Sequence, residues 1–88
     1  MNSNQVTLRM PDTLRHAQAM DWLGGIHITP GQTIVLDASA LRSFDSSALA
    51  CLIEVRRRVE ALGGRMEIRG LSDRLQRLAQ VYGLADLL

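Results

Sequence analysis

The sequence has a single cysteine and few aromatic residues, and each of these two shortages removes a class of function. All ten basic residues are arginine, while Phe, Tyr and Trp occur once each. A surface that binds single-stranded nucleic acid interleaves aromatic side chains with basic ones. The short run Arg56, Arg57, Arg58 alone therefore predicts no nucleic-acid partner. The lone Cys51 excludes an internal disulfide, and without a CxxC pair there is no zinc-binding signature.

Long apolar runs are also missing. No stretch approaches the roughly 18 consecutive apolar residues that a membrane-spanning helix requires. The opening MNSNQ contains neither a positive cluster nor an apolar run, so no signal peptide is predicted and a cytoplasmic protein is expected. The chain has 88 residues, of which 47% are hydrophobic and 22% charged. We therefore expect residues 1–88 to form a single globular domain.

The charge is small overall but unevenly distributed. The net charge of +1 gives no general attraction to nucleic acid. Residues 54–77 hold seven arginines and four acidic residues, whereas the rest of the chain holds three arginines and five acidic residues. The local basic excess favours an acidic protein partner or a lipid headgroup. A solvated helix face without any partner explains the same pattern.

Hydrophobic patterning predicts alternating strands and helices. Residues 5–10 and 65–69 alternate between apolar and polar side chains, which is typical of half-buried strands. Residues 33–36 form a continuous apolar run, which is typical of a strand buried on both faces. Helices are predicted over residues 14–23 and 46–62, and a third helix follows the last strand. This alternation predicts an α/β fold with parallel strand pairs.

Apolar residues at three- and four-residue steps define the inner face expected for each helix. These residues are Leu14, Ala17, either Met20 or Asp21, and Trp22 in the first helix, Ala48, Leu49, Cys51, Leu52, Val55, Val59 and Leu62 in the second, and Leu75, Leu78, Ala79 and Tyr82 in the third. Residues 11–13 and Ser72 offer N-caps for the first and third helices. Glu54 and Arg58 have the favourable order for an ion pair across one helical turn. The apolar tail, residues 84–88, is expected to fold back onto the core, although a partner could cover it instead.

The second helix begins at a polar segment, LRSFDSSALA. Asp or Ser just before an apolar periodic run is a preferred N-cap, so Asp45, Ser46 or Ser47 is expected to cap this helix. A hydroxyl there lies among unpaired backbone N–H groups at the positive end of the helix dipole. That environment would stabilise a phosphate on either serine. The segment therefore predicts a cap and permits a phosphorylation switch.

Signatures of catalysis are missing from the sequence. His16 and His27 have no Cys or Asp at metal-ligand spacing. The phosphate-binding motifs GxxxxGK(S/T) and GxGxxG do not occur in the sequence. No GxSxG elbow surrounds Ser46 or Ser47, and neither histidine is placed by sequence to act as a base for them. We therefore expect no catalytic residue, no metal site and no cofactor.

The segment IVLDASALRSFDSSALACL resembles the core of STAS domains, the small fold of bacterial anti-sigma-factor antagonists and sulfate-transporter tails. The STAS pattern runs from an apolar strand to Asp, a short variable link, Asp-Ser/Thr-Ser/Gly-Gly-Leu and an amphipathic helix. Asp37, Asp45, Ser46, Ser47 and Leu49 match it. The ending EIRGLSDRLQRLAQVYGLADLL is similar to MlaB-type proteins, the STAS subunits of the phospholipid ABC transporter that maintains lipid asymmetry. The resemblance covers residues 33–88, with weaker agreement over residues 5–24.

The resemblance implies a fold and two possible functions. The fold is a small mixed sheet with helices packed mainly on one face. The leading function is a non-enzymatic regulatory or assembly subunit that binds the cytoplasmic ATPase of a phospholipid-transport ABC complex, and that lies at the inner membrane only through this partner. The alternative is an anti-sigma-factor antagonist, whose partner is a kinase that phosphorylates Ser46. A small enzyme is a third interpretation.

The resemblance also implies where a partner binds. Ser46 matches the hydroxyl residue that antagonists phosphorylate, and in transporter-type members this position lies by the ATPase-binding surface. Asp45 and Ser47 flank it, and Arg42 lies in the preceding loop. Asp37 matches the Asp that follows the apolar strand of the pattern. These five residues are the expected partner-binding site.

One residue departs from the STAS pattern. The sequence has Ala48 where the family usually has Gly. A Cβ at this position is expected to narrow the approach of a kinase or of a partner's backbone.

Overall fold

The computed structural model describes residues 5–88. Its elements are β1 (Gln5–Arg9), β2 (Thr13–Leu14), α1 (His16–Gly24), β3 (Thr33–Asp37), β4 (Ser43–Phe44), α2 (Ser46–Ala61), β5 (Arg65–Arg69), α3 (Asp73–Val81) and a final 3₁₀ turn (Ala85–Leu87). Among these residues, no helix is both long and apolar enough to cross a membrane.

Strands β1, β3 and β5 form a three-stranded sheet in that spatial order. Ile34 in the central strand pairs with Val6 on one side and Met66 on the other. Helices α1 and α2 each return the chain to the end of the sheet at which the preceding strand began, so all three strands run in one direction. The predicted α/β fold is confirmed. Its sheet is corrected from mixed to parallel, because every strand pair within residues 5–88 is parallel.

The helices pack on one face of this sheet, as expected. In β1 and β5 every second residue is half-buried, and the residues between them are exposed. Helix α2 covers the half-buried residues of these strands. The predicted inner face of α2 is confirmed except for Leu62, which is exposed. Its buried side chains are Ala48, Leu49, Cys51, Leu52, Val55 and Val59. Helix α2 therefore supplies the centre of the hydrophobic core.

A short second pair of strands was not predicted. Thr13 and Leu14 of β2 pair in parallel with Ser43 and Phe44 of β4. The carbonyl oxygen of Asp12 also accepts backbone hydrogen bonds from Arg42 and Ser43, at 2.8 and 2.9 Å. These contacts hold the loop before α1 against the loop before α2. As a result, the first residues of the two helices lie side by side.

Helix α1 differs from its prediction in both its start and its face. It begins at His16 after Arg15 as N-cap, so residues 11–13 do not cap it. Leu14 is buried but belongs to β2. The buried helical residue is Ala19, whereas Ala17 and Met20, predicted to face inward, are exposed. The apolar residues of α1 are spread around the helix instead of following a clear three- and four-residue step, so their spacing does not determine which face is buried.

Helix α3 is capped as predicted by Ser72, whose hydroxyl oxygen accepts a hydrogen bond from the Leu75 N–H. Leu75 and Ala79 are buried. The predicted inward position of Tyr82 is wrong, because this side chain follows the helix and is 55% exposed. Leu84 and Leu88 pack against the core, so most of the apolar tail folds back as expected.

Candidate functional site

The start of α2 is fixed by the carboxylate of Asp45. One oxygen, Oδ1, accepts a hydrogen bond from the backbone N–H of Ser47 at 2.8 Å, so Asp45 is the N-cap. The other oxygen, Oδ2, accepts from the backbone N–H of His16, the first residue of α1, at 3.2 Å. The predicted cap is therefore confirmed and assigned to Asp45. This single carboxylate also ties the starts of α1 and α2 together.

The Asp45 carboxyl is held in its charged form. The hydrogen bond from the Ser47 N–H lowers the pKa of Asp45, and the His16 N–H, the Ser47 side chain and the charge of Arg15 lower it further. Partial burial opposes this shift but does not reverse it. Two backbone donors and one nearby cation thus stabilise the anion at the positive end of α2.

The three residues after Asp45 point in different directions. Ser46 is exposed, Ser47 is half-buried, and Ala48 is fully buried in the core cluster. Within residues 5–88 the Ser46 hydroxyl makes no hydrogen bond, so it is available to solvent or to a partner. The expectation for Ala48 is wrong. Its Cβ faces the core, and it does not narrow the approach to the outer surface of α2.

A groove lies between the start of α2 and helix α3. This α2–α3 groove has a volume of about 500 Å³ and also extends over Leu78. Its main lining residues are Phe44, Ser46, Arg74, Arg77, Val81 and Tyr82. The guanidinium of Arg74 lies 5.0 Å from the centre of the Phe44 ring, which is within the range of a cation–π contact. The groove is thus mainly apolar, with two cations on its α3 side.

A second groove lies on the other side of α2, against α1. This α1–α2 groove has a volume of about 360 Å³. It is lined by His16, Ala19, Met20, Ser47, Ala50 and Glu54, together with Leu23 and Cys51. Met20 is 75% exposed, although it is a large apolar side chain. The first turn of α2 therefore separates two grooves, with Ser46 bordering one and Ser47 bordering the other.

The structure leaves two of the predicted site residues outside these grooves. Arg42 is exposed in the loop before β4, where its backbone is held by Asp12. Asp37 ends β3, and its carboxylate accepts a hydrogen bond from the Ser39 N–H at 2.9 Å. The Ser39 side chain and backbone are the main causes that lower the pKa of Asp37. Asp37 therefore shapes the strand end rather than the surface around Ser46.

Sequence patterns alone do not single out the α3 side of the α2–α3 groove. Arg74, Arg77 and Val81 recur at three- and four-residue steps, which places them on one face of a helix. Their spacing is visible in the sequence. Their position beside Ser46 is not visible, because it depends on how α3 packs against α2.

The described residues show no assembled catalytic group. His16 and Ser47 both border the α1–α2 groove, but no hydrogen bond joins their side chains. Residues 5–88 also bring together no cluster of three or more His, Cys, Asp or Glu side chains that could hold a metal ion. The arrangement around Ser46 offers contact surfaces: an exposed hydroxyl, two grooves and several exposed apolar side chains.

Comparison with known proteins agrees with this architecture. The family model described as "Mlab, STAS domain" matches residues 2–88, which is nearly the whole chain. A search of curated proteins finds no relative that matches. The small parallel sheet, the helices on one face and the helix start at Asp45 all lie within the matched region. The chain therefore belongs to the STAS-domain family described as Mlab, a family of small regulatory and interaction domains.

Proposed function

We propose that this chain is a non-enzymatic regulatory or assembly subunit that binds the cytoplasmic ATPase of a phospholipid-transport ABC complex. The observation that carries the proposal is the exposed Ser46 on a rigid helix start between two grooves. The family match supports an interaction domain, and the MlaB-like ending of the sequence favours this particular partner. The chain would reach the membrane only through the ATPase.

Exposed apolar side chains support a protein partner at this surface. Met20 borders the α1–α2 groove, and Val81, which is 80% exposed, borders the α2–α3 groove together with Tyr82. Large apolar side chains that cluster at a groove and are rimmed by polar residues are typical of protein–protein interfaces. A partner seated on the first turn of α2 could cover both grooves at once.

Copurification and calorimetry test this proposal. The chain is co-expressed with the ATPase encoded beside it, and the complex is purified through a tag on one partner. We expect the two proteins to co-elute. Ser46→Arg should raise the dissociation constant by about tenfold or more, because it replaces a small exposed side chain at the centre of the interface with a bulky one.

Thr29→Arg provides the matched control, because Thr29 is exposed and lies in the loop before β3, away from both grooves. It adds the same charge and should leave binding within about twofold of wild type. Failure of the wild-type proteins to co-elute, together with an unchanged ATPase rate, would contradict the proposal.

The exposed Ser46 hydroxyl also favours a second candidate, an anti-sigma-factor antagonist. A hydroxyl at the first helical position with no internal hydrogen bond is accessible to a kinase. Incubation with the cognate kinase and ATP should then add one phosphate to wild type and none to Ser46→Ala, as read by intact-mass spectrometry. Stable kinase binding without modification of Ser46 would exclude this switch.

A further inference from the structure

We infer that the α2–α3 groove binds a short acidic amphipathic helix of the partner. The carboxylates of this helix would pair with Arg74 and Arg77, and its apolar residues would pack on Val81 and Tyr82. The inference rests on the proposed function, and it specifies the chemistry of the segment that docks.

Arg74 and Arg77 differ from the arginines of α2 and β5 that form salt bridges. Arg57 and Arg58 bind the Glu54 carboxylate at 2.8 and 2.7 Å, and Arg69 binds a neighbouring glutamate at 3.0 Å. Arg74 and Arg77 are exposed and have no carboxylate partner within residues 5–88.

The acidic residue nearest to this groove does not neutralise the two arginines. Asp45 borders the groove, but the hydrogen bonds to its two oxygens come from the backbone N–H groups of Ser47 and His16. The guanidinium of Arg74 lies over the Phe44 ring, and its N–H groups make no hydrogen bond within residues 5–88, so they are available to an acceptor. The groove therefore presents two available cations.

Charged and apolar side chains follow one another along the groove side of α3. Arg74 and Val81 are seven residues apart in sequence, which corresponds to about 10 Å along the helix axis. Arg77 lies between them, and Tyr82 extends the apolar end. The groove is thus basic at one end and apolar at the other, over about two helical turns.

The shape and charge of the groove match a helical peptide. Peptide helices that dock in grooves use anchors at three-, four- and seven-residue steps. The spacing along α3 is complementary to such a helix when it carries acidic residues at one end and apolar residues at the other. The planar guanidinium fork pairs with a carboxylate through two parallel hydrogen bonds, which gives this end of the helix its register. The charge and the length of the groove together favour an acidic amphipathic helix of two turns.

Charge reversal at the two arginines tests the inference. Binding of the purified ATPase is measured by calorimetry for wild type and for Arg74→Glu/Arg77→Glu. We expect the double variant to bind at least about tenfold more weakly, since two desolvated ion pairs become repulsive. Raising NaCl from about 50 to about 300 mM should weaken wild type more than the double variant. Arg74→Lys/Arg77→Lys should lose less affinity than the glutamate variant, because it keeps the charge but not the fork.

Arg9→Glu/Arg65→Glu is the matched control. Both residues are exposed on strands, form no salt bridge within the described chain and lie outside both grooves, although the charge of Arg9 acts on the carboxylate of Asp37. The control makes the same change in net charge. It should shift the dissociation constant by no more than about threefold, through long-range electrostatics alone.

A photo-crosslinking amino acid at residue 81 then identifies the docked segment. Because Val81 is 80% exposed, the replacement should not disturb folding. Peptide mass spectrometry of the crosslinked ATPase should recover a segment with Asp or Glu spaced three or four residues from apolar side chains. Recovery of a segment without acidic residues, or no crosslink within a stable complex, would overturn the inference.

Other outcomes separate this inference from the proposed function. If Ser46→Arg abolishes ATPase binding and Arg74→Glu/Arg77→Glu does not weaken it, the docking inference is wrong and the proposed function stands. If the wild-type chain fails to bind the ATPase, both are wrong. The chain could instead bind vesicles of phosphatidylglycerol and phosphatidylcholine through Arg74 and Arg77, while charge reversal at both residues leaves ATPase binding unaffected. In that case the inference is wrong, and the groove binds a lipid headgroup.

Discussion

The start and the middle of helix α2 each contain a carboxylate that accepts several hydrogen bonds, but the donors differ. At the start, Asp45 is bound by backbone N–H groups of α2 and α1, at 2.8 and 3.2 Å. In the middle, Glu54 is bound by the guanidinium groups of Arg57 and Arg58, at distances between 2.7 and 2.9 Å. Arg58 also donates to the carbonyl oxygen of Leu23 near the end of α1, at 3.2 Å.

The Asp45 contact positions the candidate site, whereas the Glu54 contact is a cluster of ion pairs at the surface. The backbone donors are already held in place by the fold. The contact therefore immobilises only one side chain, that of Asp45. The Glu54 cluster immobilises two long, partly exposed side chains, and water screens its charges. Shorter distances at Glu54 therefore do not mean a larger contribution to stability. The start of α2 is the more strongly determined end, and it is the end that borders both grooves.

The largest expected effect comes from removing the cap. Asp45→Ala leaves the Ser47 and His16 N–H groups without their acceptor, and we expect the melting temperature to fall by roughly 5 °C. Asp45→Asn should retain most of the stability, because an asparagine side chain can also accept at an N-cap. Thermal unfolding followed by circular dichroism measures both. Equal stability of the alanine and asparagine variants would show that the cap contributes little.

A smaller effect is expected for Glu54→Gln, and it should depend on pH. Hydrogen bonds from Arg57 and Arg58 lower the pKa of Glu54 from 4.5 to about 2. Because the folded-state pKa lies below the unfolded one, the ionised group stabilises the fold above about pH 4.5, and this contribution is lost as the pH falls toward 2. Solvent screening makes the contribution smaller than the shift suggests.

Urea unfolding of wild type and Glu54→Gln at a series of pH values measures this contribution. The midpoints should differ slightly at neutral pH and converge near pH 2, and high salt should reduce the difference at neutral pH. Salt should affect the Asp45→Ala difference less, because its donors are backbone groups. If Glu54→Gln lowers the urea midpoint at neutral pH more than Asp45→Ala does, the Glu54 cluster contributes more to stability than the cap.

Much of the fold could be predicted because its signals are local. Alternation marked β1 and β5, and the three- and four-residue steps marked α2 with its buried face. The caps at Asp45 and Ser72 follow from side-chain chemistry at helix starts. The Glu54–Arg58 pair follows from helical spacing. In each case the residues that interact lie within a few positions of one another.

The rest depends on contacts between distant segments. The β2–β4 pair joins two-residue strands that are too short to leave a periodic signal. Met20 and Tyr82 were assigned to inner faces by their hydrophobicity, but at grooves such side chains are exposed. The second hydrogen bond to Asp45 comes from His16, 29 positions away. The proximity of Arg74 to Phe44 likewise requires the packing of α3, which no local pattern shows.

The burial of Cys51 has a practical consequence. Its side chain is 1% exposed, and burial raises the pKa of its thiol, so the reactive thiolate form is suppressed. The chain contains no other cysteine. A cysteine introduced at exposed Val81 or Thr29 would consequently be the thiol that a maleimide dye reaches first. Site-specific fluorescent labels can thus report from the α2–α3 groove or from the loop before β3 without any change to the native core.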